Sequence, residues 1–225
     1  MRKIFFIISF SLMAFYNCAN AQVALGMRGE AFNDIAYTEV TGNPYLINDW
    51  IAGSVILENN QKAAATLKFD IVANAVLYQG KNGEALELKN KFSSFTLNTT
   101  VTDVSNMSPL VFVNGYPATD KQTEGTFYQL IGDGKIRLLK YYKKTIDERP
   151  GTSYTSSTTK SFKLIHDYYV FKDNQLTEIQ PNKKALTKLF DDHAAQLDAY
   201  LKTSNINFKN DTDLQKLFAW YNSLN

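Results

Sequence analysis

The chain has 225 residues, with 24 basic against 22 acidic side chains and a single cysteine. That length suffices for one large domain with its own core, and the near-even charge excludes the concentrated basic face that nucleic-acid binding or a polybasic membrane anchor needs. An aromatic share of 13% points to a core built on Tyr and Phe rings.

Residues 1–21 read as a signal peptide. Arg2 and Lys3 precede the apolar run Ile4 to Tyr16, and Ala19-Asn20-Ala21 forms a small-x-small cleavage site. The run has 13 residues, short of the roughly 20 that a spanning helix needs, and no later stretch approaches that length. Cleavage after Ala21 removes Arg2, Lys3 and Cys18, leaving 22 basic against 22 acidic side chains and no cysteine. Disulfides, thiolate metal ligands and a cysteine nucleophile then disappear together. A second reading makes Cys18 the acylated first residue of a lipoprotein, but Phe15-Tyr16-Asn17 lack the small residues such a site wants. Either reading predicts an exported protein, periplasmic or associated with the outer membrane.

From Gln22 to about Val40 the pattern is weak and predicts an exposed arm or edge strand. At Gly42-Asn43-Pro44-Tyr45-Leu46-Ile47, Pro44 fixes its own φ and biases Asn43 toward extended geometry, which predicts a rigid lead-in to a strand through Ser54 to Leu57. Gly53 within that strand predicts a bulge or a close backbone approach. Leu67, Phe69 and Ile71 alternate with Thr66, Lys68 and Asp70, the period of a half-buried strand, and pair as a hairpin with Val55 to Leu57. Ala75 to Gln79 and Ala85 to Leu88 flank Asn82-Gly83, read as a type I′ turn.

Phe92 to Leu97, Leu110 to Val113, Phe127 to Ile131 and Ile136 to Tyr142 continue the series, the last two joined at Gly132-Asp133-Gly134-Lys135, read as a turn only. Asp147 to Thr159 is rich in Ser, Thr, Gly and Pro and predicts a mobile loop. Phe162 to Phe171 then turns at Asp173-Asn174 into Gln175 to Ile179. After Pro181 the period changes to about 3.6: Leu186, Leu189 and Phe190, then Ala194, Leu197, Tyr200 and Leu201, then Leu214, Leu217, Phe218 and Tyr221. Thr212 and Gln215 fit a capping box for the last of three helices, with Asp211 and Asp213 at its positive end. The predicted fold is therefore α+β. An antiparallel β meander over 22–180, either a sandwich or a partly closed barrel, precedes a helical segment over 181–225 that docks on it.

The motif Gly42-x-Pro44-Tyr45-Leu46-x-x-Asp49-Trp50-x-x-Gly53, with the ending Asp213-Leu214 to Trp220-Tyr221-Asn222-Ser223-Leu224, resembles a group of uncharacterised exported proteins common in Bacteroidetes-type bacteria. That group shows two tyrosines before Asn-Ser-Leu, where this chain has Trp220-Tyr221. The resemblance implies export and a β-then-α layout, and no activity.

The chemistry is sparse. His166 and His193 lie in different elements, and with no clustered His and Cys a metal centre is not expected. Asn207 to Asp213 offers oxygen ligands but lacks the glycine and final glutamate of an EF-hand loop, so capping explains it better. No nucleophile elbow, P-loop or dinucleotide fingerprint occurs. Asp147-Glu148 and Asp191-Asp192 read as solvated charge. The candidate interaction residues are aromatic: Tyr45, Trp50, and the pairs Tyr141-Tyr142 and Tyr168-Tyr169, whose members face opposite sides of a strand. The leading expectation is a non-catalytic envelope protein without a cofactor, binding another envelope protein. The alternatives are a carrier or sensor of an apolar ligand held between sheet and tail, and a hydrolase of envelope carbohydrate.

Overall fold

The computed structural model describes residues 27–32, 40–99, 104–150 and 158–224; the leader and Cys18 lie outside them. Eleven strands precede three helices. The strands are β1 (Gly29–Ala31), β2 (Ile51–Leu57), β3 (Lys62–Asp70), β4 (Ala75–Gln79), β5 (Ala85–Leu88), β6 (Phe92–Leu97), β7 (Leu110–Val113), β8 (Tyr128–Gly132), β9 (Arg137–Arg149), β10 (Thr159–Lys172) and β11 (Gln175–Ile179). The helices are α1 (Lys183–Leu189), α2 (Ala194–Ser204) and α3 (Asp211–Asn222), with a short 3-10 turn at Asp191–His193. None of the described helices is long and apolar enough to cross a membrane.

All strands form one antiparallel sheet in the order β1-β5-β4-β3-β2-β6-β7-β8-β9-β10-β11. Two meanders run outward from the β2/β6 pair, and the sheet stays open, with β1 and β11 as its edges. This is the α+β meander with a helical tail, built on a single sheet rather than the two sheets of a sandwich.

The sheet is curled, and a short strap shows how far. Thr41 donates its N–H to the Lys160 carbonyl and accepts from Phe162 N–H, while Tyr45 pairs with Asp70 and Leu46 N–H bonds to the Phe69 carbonyl. Those partners lie on β10 and β3, six strand steps apart in the sheet order. A flat sheet would separate them by about 29 Å, whereas Thr41 to Tyr45 reaches about 14 Å at most. The segment read as a lead-in to a strand is therefore a cross-tie: Asn43 accepts from Lys144 on β9, and the strand proper begins at Ile51. Gly53 does mark a close approach, since a Cβ there would stand 2.0 Å from the Thr96 carbonyl oxygen.

Two turns exchange roles relative to expectation. Asn82 keeps an ordinary φ, and only Gly83 is left-handed (φ +84°), so the β4–β5 hairpin closes with a Gly80–Glu84 backbone pair around a three-residue loop. The type I′ geometry belongs to Asp173 and Asn174, with φ of 50° and 59°. The expected loop over Asp147 to Thr159 is also corrected. β9 continues to Arg149 and β10 starts at Thr159, in unbroken register from Thr159↔Arg149 to Phe171↔Arg137, while 151–157 lie outside the described residues.

The tail fills the concave face. Leu214, Leu217, Phe218 and Tyr221 of α3 are buried with Leu186, Phe190 and Leu197 in the same core as Val55, Leu67, Phe95, Phe112 and Leu138 of the sheet. Phe190 stacks on Tyr221 with ring centroids 3.8 Å apart, and Trp220 stacks on Tyr200 at 4.4 Å. The cap of α3 is Asn210, whose side chain accepts from Asp213 N–H, so Thr212 does not cap the helix. The far end of α3 is tied as well. Asn222 accepts from Ile136 N–H and donates to the Asp133 and Ile136 carbonyls, so the Gly132–Lys135 turn is a seat for the helix and more than a turn. Gly132 is part of that seat, because a Cβ there would lie 2.7 Å from Phe218 Cβ.

Candidate functional site

One row of the inner face runs Val55, Phe95, Phe112, Gln129, Lys140, Tyr168, Ile179 across seven adjacent strands. Its polar members meet the start of α3. Lys140 Nζ lies 2.8 Å from Asp211 Oδ2 and 3.2 Å from the Val104 carbonyl, and Asp211 also accepts from Ser105 Oγ at 2.7 Å and Tyr168 OH at 2.7 Å. Lys140 and Asp211 are 4% and 2% exposed, a depth at which a lone charge would cost several kcal/mol and a paired, hydrogen-bonded one is tolerated. Tyr142 OH stands 2.6 Å from Gln129 Oε1 and 3.0 Å from the Val104 carbonyl. Its one proton serves one of these acceptors at a time, and the Gln129 contact is the shorter. Burial raises the Tyr142 and Tyr168 hydroxyls well above the usual phenol range, reinforced by the Asp211 charge. The cluster is internally satisfied and acts as a clamp on α3.

The outer face of the same strands carries a second, smaller core. Tyr128, Leu139, Tyr169 and Tyr116 are buried there, with Tyr141 and Phe171 packed against them. Tyr128 meets Tyr116, Tyr141 and Tyr169 at centroid distances of 5.7, 5.7 and 5.6 Å, edge-on or tilted. The β7–β8 connection, 114–127, folds over them and supplies Tyr116 and Gln122. Burial pushes the Tyr169 hydroxyl up to about 12, against the hydrogen bond from Gln122 that favours its ionised form. The Tyr128 hydroxyl is buried without a hydrogen-bond partner among the described residues.

The six predicted aromatic residues thus fall into three places rather than one surface. Tyr142 and Tyr168 point inward to the clamp; Tyr141 and Tyr169 join the outer tyrosine core. Tyr45 and Trp50, on the strap and just after it, bracket Lys68 at 4.4 and 5.1 Å. Four of them are buried, while Tyr141 and Trp50 are partly exposed. Lys140, Ser105 and Gln129 were missed, and Asp211 was read only as charge at the positive end of α3. The available signal was parity: Lys140 shares the inward phase of Leu138 and Tyr142.

His166 and Asp167 face opposite sides of β10. Asp167 pairs with Lys143 on the outer face. The His166 ring makes an edge contact with Tyr168 at 5.3 Å on the rim of a cleft of about 390 Å³, lined also by Ile179, Gln180, Pro181 and Phe208. Partial burial, then the Lys140 ammonium, hold the imidazole below its usual pKa, with Asp211 and Asp167 pulling the other way. Apart from Asp211, the carboxamide and carboxylate oxygens of the 207–213 segment meet backbone N–H groups: Asn207 accepts from Lys209 N–H, Asn210 from Asp213 N–H and Asp213 from Asn207 N–H. Comparison of the chain with protein-family models, with curated proteins and with solved structures returned no match.

Proposed function

We propose that this chain is an exported, non-catalytic protein of the cell envelope that works by binding another protein. One observation carries the reading: the concave face of the curled sheet is filled by the chain's own tail, clamped at Asp211 and seated at Asn222, while the sheet ends in two strand edges, β1 and β11. Recognition then takes place on the outside, where a free edge offers ready hydrogen-bonding groups to another chain. Carriage of an apolar ligand would require α3 to leave, breaking a buried ion pair and uncovering Lys140. Export is read from the leader-like residues 1–21 and from the resemblance carried by the Pro44 motif.

Native mass spectrometry of the protein, purified without detergent from the envelope fraction of its own cells, tests this. A bound polypeptide is the expected result. A bound small molecule would transfer the reading to a carrier, and bare protein at every loading would overturn it.

A further inference from the structure

We propose that the partner adds an extended segment to β10, in the gap between the end of β11 and the strap; this rests on the protein-binding reading above. The unbroken β9–β10 register means that alternate β10 residues turn their backbone groups to opposite edges along the whole strand. Two observations identify the outward set. The two-residue turn at Asp173-Asn174 makes Lys172 and Gln175 a hydrogen-bonded closing pair, so the even-numbered residues face β11. Independently, the Lys160 carbonyl and Phe162 N–H are the groups that bond Thr41.

Of those even-numbered residues, Tyr168, Val170 and Lys172 are matched by β11, while the Lys160 carbonyl and the Phe162 N–H are taken by the strap. Leu164 and His166 are left between them, with no backbone partner at that edge among the described residues. β11 does not continue past them: the chain leaves the ladder at Gln180, and Pro181, which has no N–H, leads into α1. At its His166 end the interruption meets the 390 Å³ cleft, which Gln180, Pro181 and Phe208 also line. β1, the other edge, has only three residues, all exposed.

An unmatched N–H and C=O on each of two alternate residues demand donors and acceptors at strand spacing, which an extended backbone supplies and a compact small molecule does not. The positions opposite Lys163 to Asp167 hold an added strand of about five residues. Its inward side chains would meet Leu164, Phe208 and Ile179, which pack against the core, and its outward ones would lie beside Lys163 and Asp167. The ligand is therefore a polypeptide segment of alternating apolar and polar residues.

The test uses the full chain and a library of blocked heptapeptides with that alternation. Selected peptides should slow amide exchange at Leu164 and His166 at least tenfold, leave Ile165 and Asp167 unchanged because these already face β9, and lose binding when alternate backbone nitrogens are methylated. No binder, or binders that protect β1 instead, would overturn the proposal. A photoreactive residue at Gln180 or at Glu30, in the protein's own cells, separates the two levels. Capture of a partner through Glu30 alone would discard the β10 site and keep the binding function, and capture through neither would discard both.

Discussion

On the inner face of β9 and β10, Tyr142 and Tyr168 are held by their hydroxyls, which reach Gln129 and Asp211; one residue along each strand, Tyr141 and Tyr169 are held by their rings, in edge or tilted contacts around Tyr128. Sequence, strand and residue type are shared. What differs is the cover: α3 brings a carboxylate to one face, while the 114–127 connection brings Tyr116 and Gln122 to the other. Tyr169 keeps a hydrogen bond from Gln122 and Tyr116 one from Arg137, so it is Tyr128, at the centre of the outer cluster, that packs as an apolar plate, and burial alone does not tell it from Tyr142.

Removing the carboxylate attacks the inner face most directly. Asp211→Ala leaves Lys140 buried without its counter-ion and should cost about 3–5 kcal/mol in urea unfolding; a loss below about 1 kcal/mol would mean that water reaches Lys140 and that the inner face is not sealed. Crowding the cover comes next. Gly132→Ala drives a methyl into Phe218 and should cost about 1–3 kcal/mol by thermal unfolding, with α3 the first element to lose amide protection.

The sharpest contrast is a matched pair of hydroxyl deletions. Tyr168→Phe removes a hydrogen bond to a charged group and should destabilise by about 1.5–3 kcal/mol, whereas Tyr128→Phe removes a buried hydroxyl with no partner among the described residues and should be neutral or stabilising by up to about 1 kcal/mol. Equal losses would erase the distinction between the faces. The smallest effect concerns His166. Its folded pKa lies below the unfolded value of about 6.5, so its contribution to stability is complete above that pH and is lost as pH falls through 6.5 toward the folded value. Between pH 7.5 and 5.5 the melting temperature of His166→Gln should fall less than that of the parent; parallel curves would show that neither burial nor the Lys140 charge acts on the ring.

Most of the architecture was legible because it rests on periodicity. Leu67, Phe69 and Ile71 announced a half-buried strand, and Leu214, Leu217, Phe218 and Tyr221 announced an amphipathic helix; both are buried as the pattern requires. What stayed hidden depends on partners distant in the chain. The Pro44 segment has the local features of an extended strand, and only the curl of the sheet makes it a strap. Thr212 and Asn210 both suit a cap, and the choice follows from Thr212 instead bonding the Asn106 carbonyl. Lys140 looks like surface charge until α3 arrives over it, and Asp147 to Arg149 look like loop until their pairing with β10 is known.

The clamp also gives the polypeptide a sense of its own completion. Asp211 lies 71 residues after Lys140, so during synthesis the ammonium is in place before its carboxylate exists. A copy interrupted before Asp211 has neither the counter-ion of Lys140 nor the helix that covers it, so the ammonium stays in contact with water. Intact and prematurely ended copies therefore differ at one place in two ways, in the charge that balances Lys140 and in the apolar cover that α3 lays over the sheet.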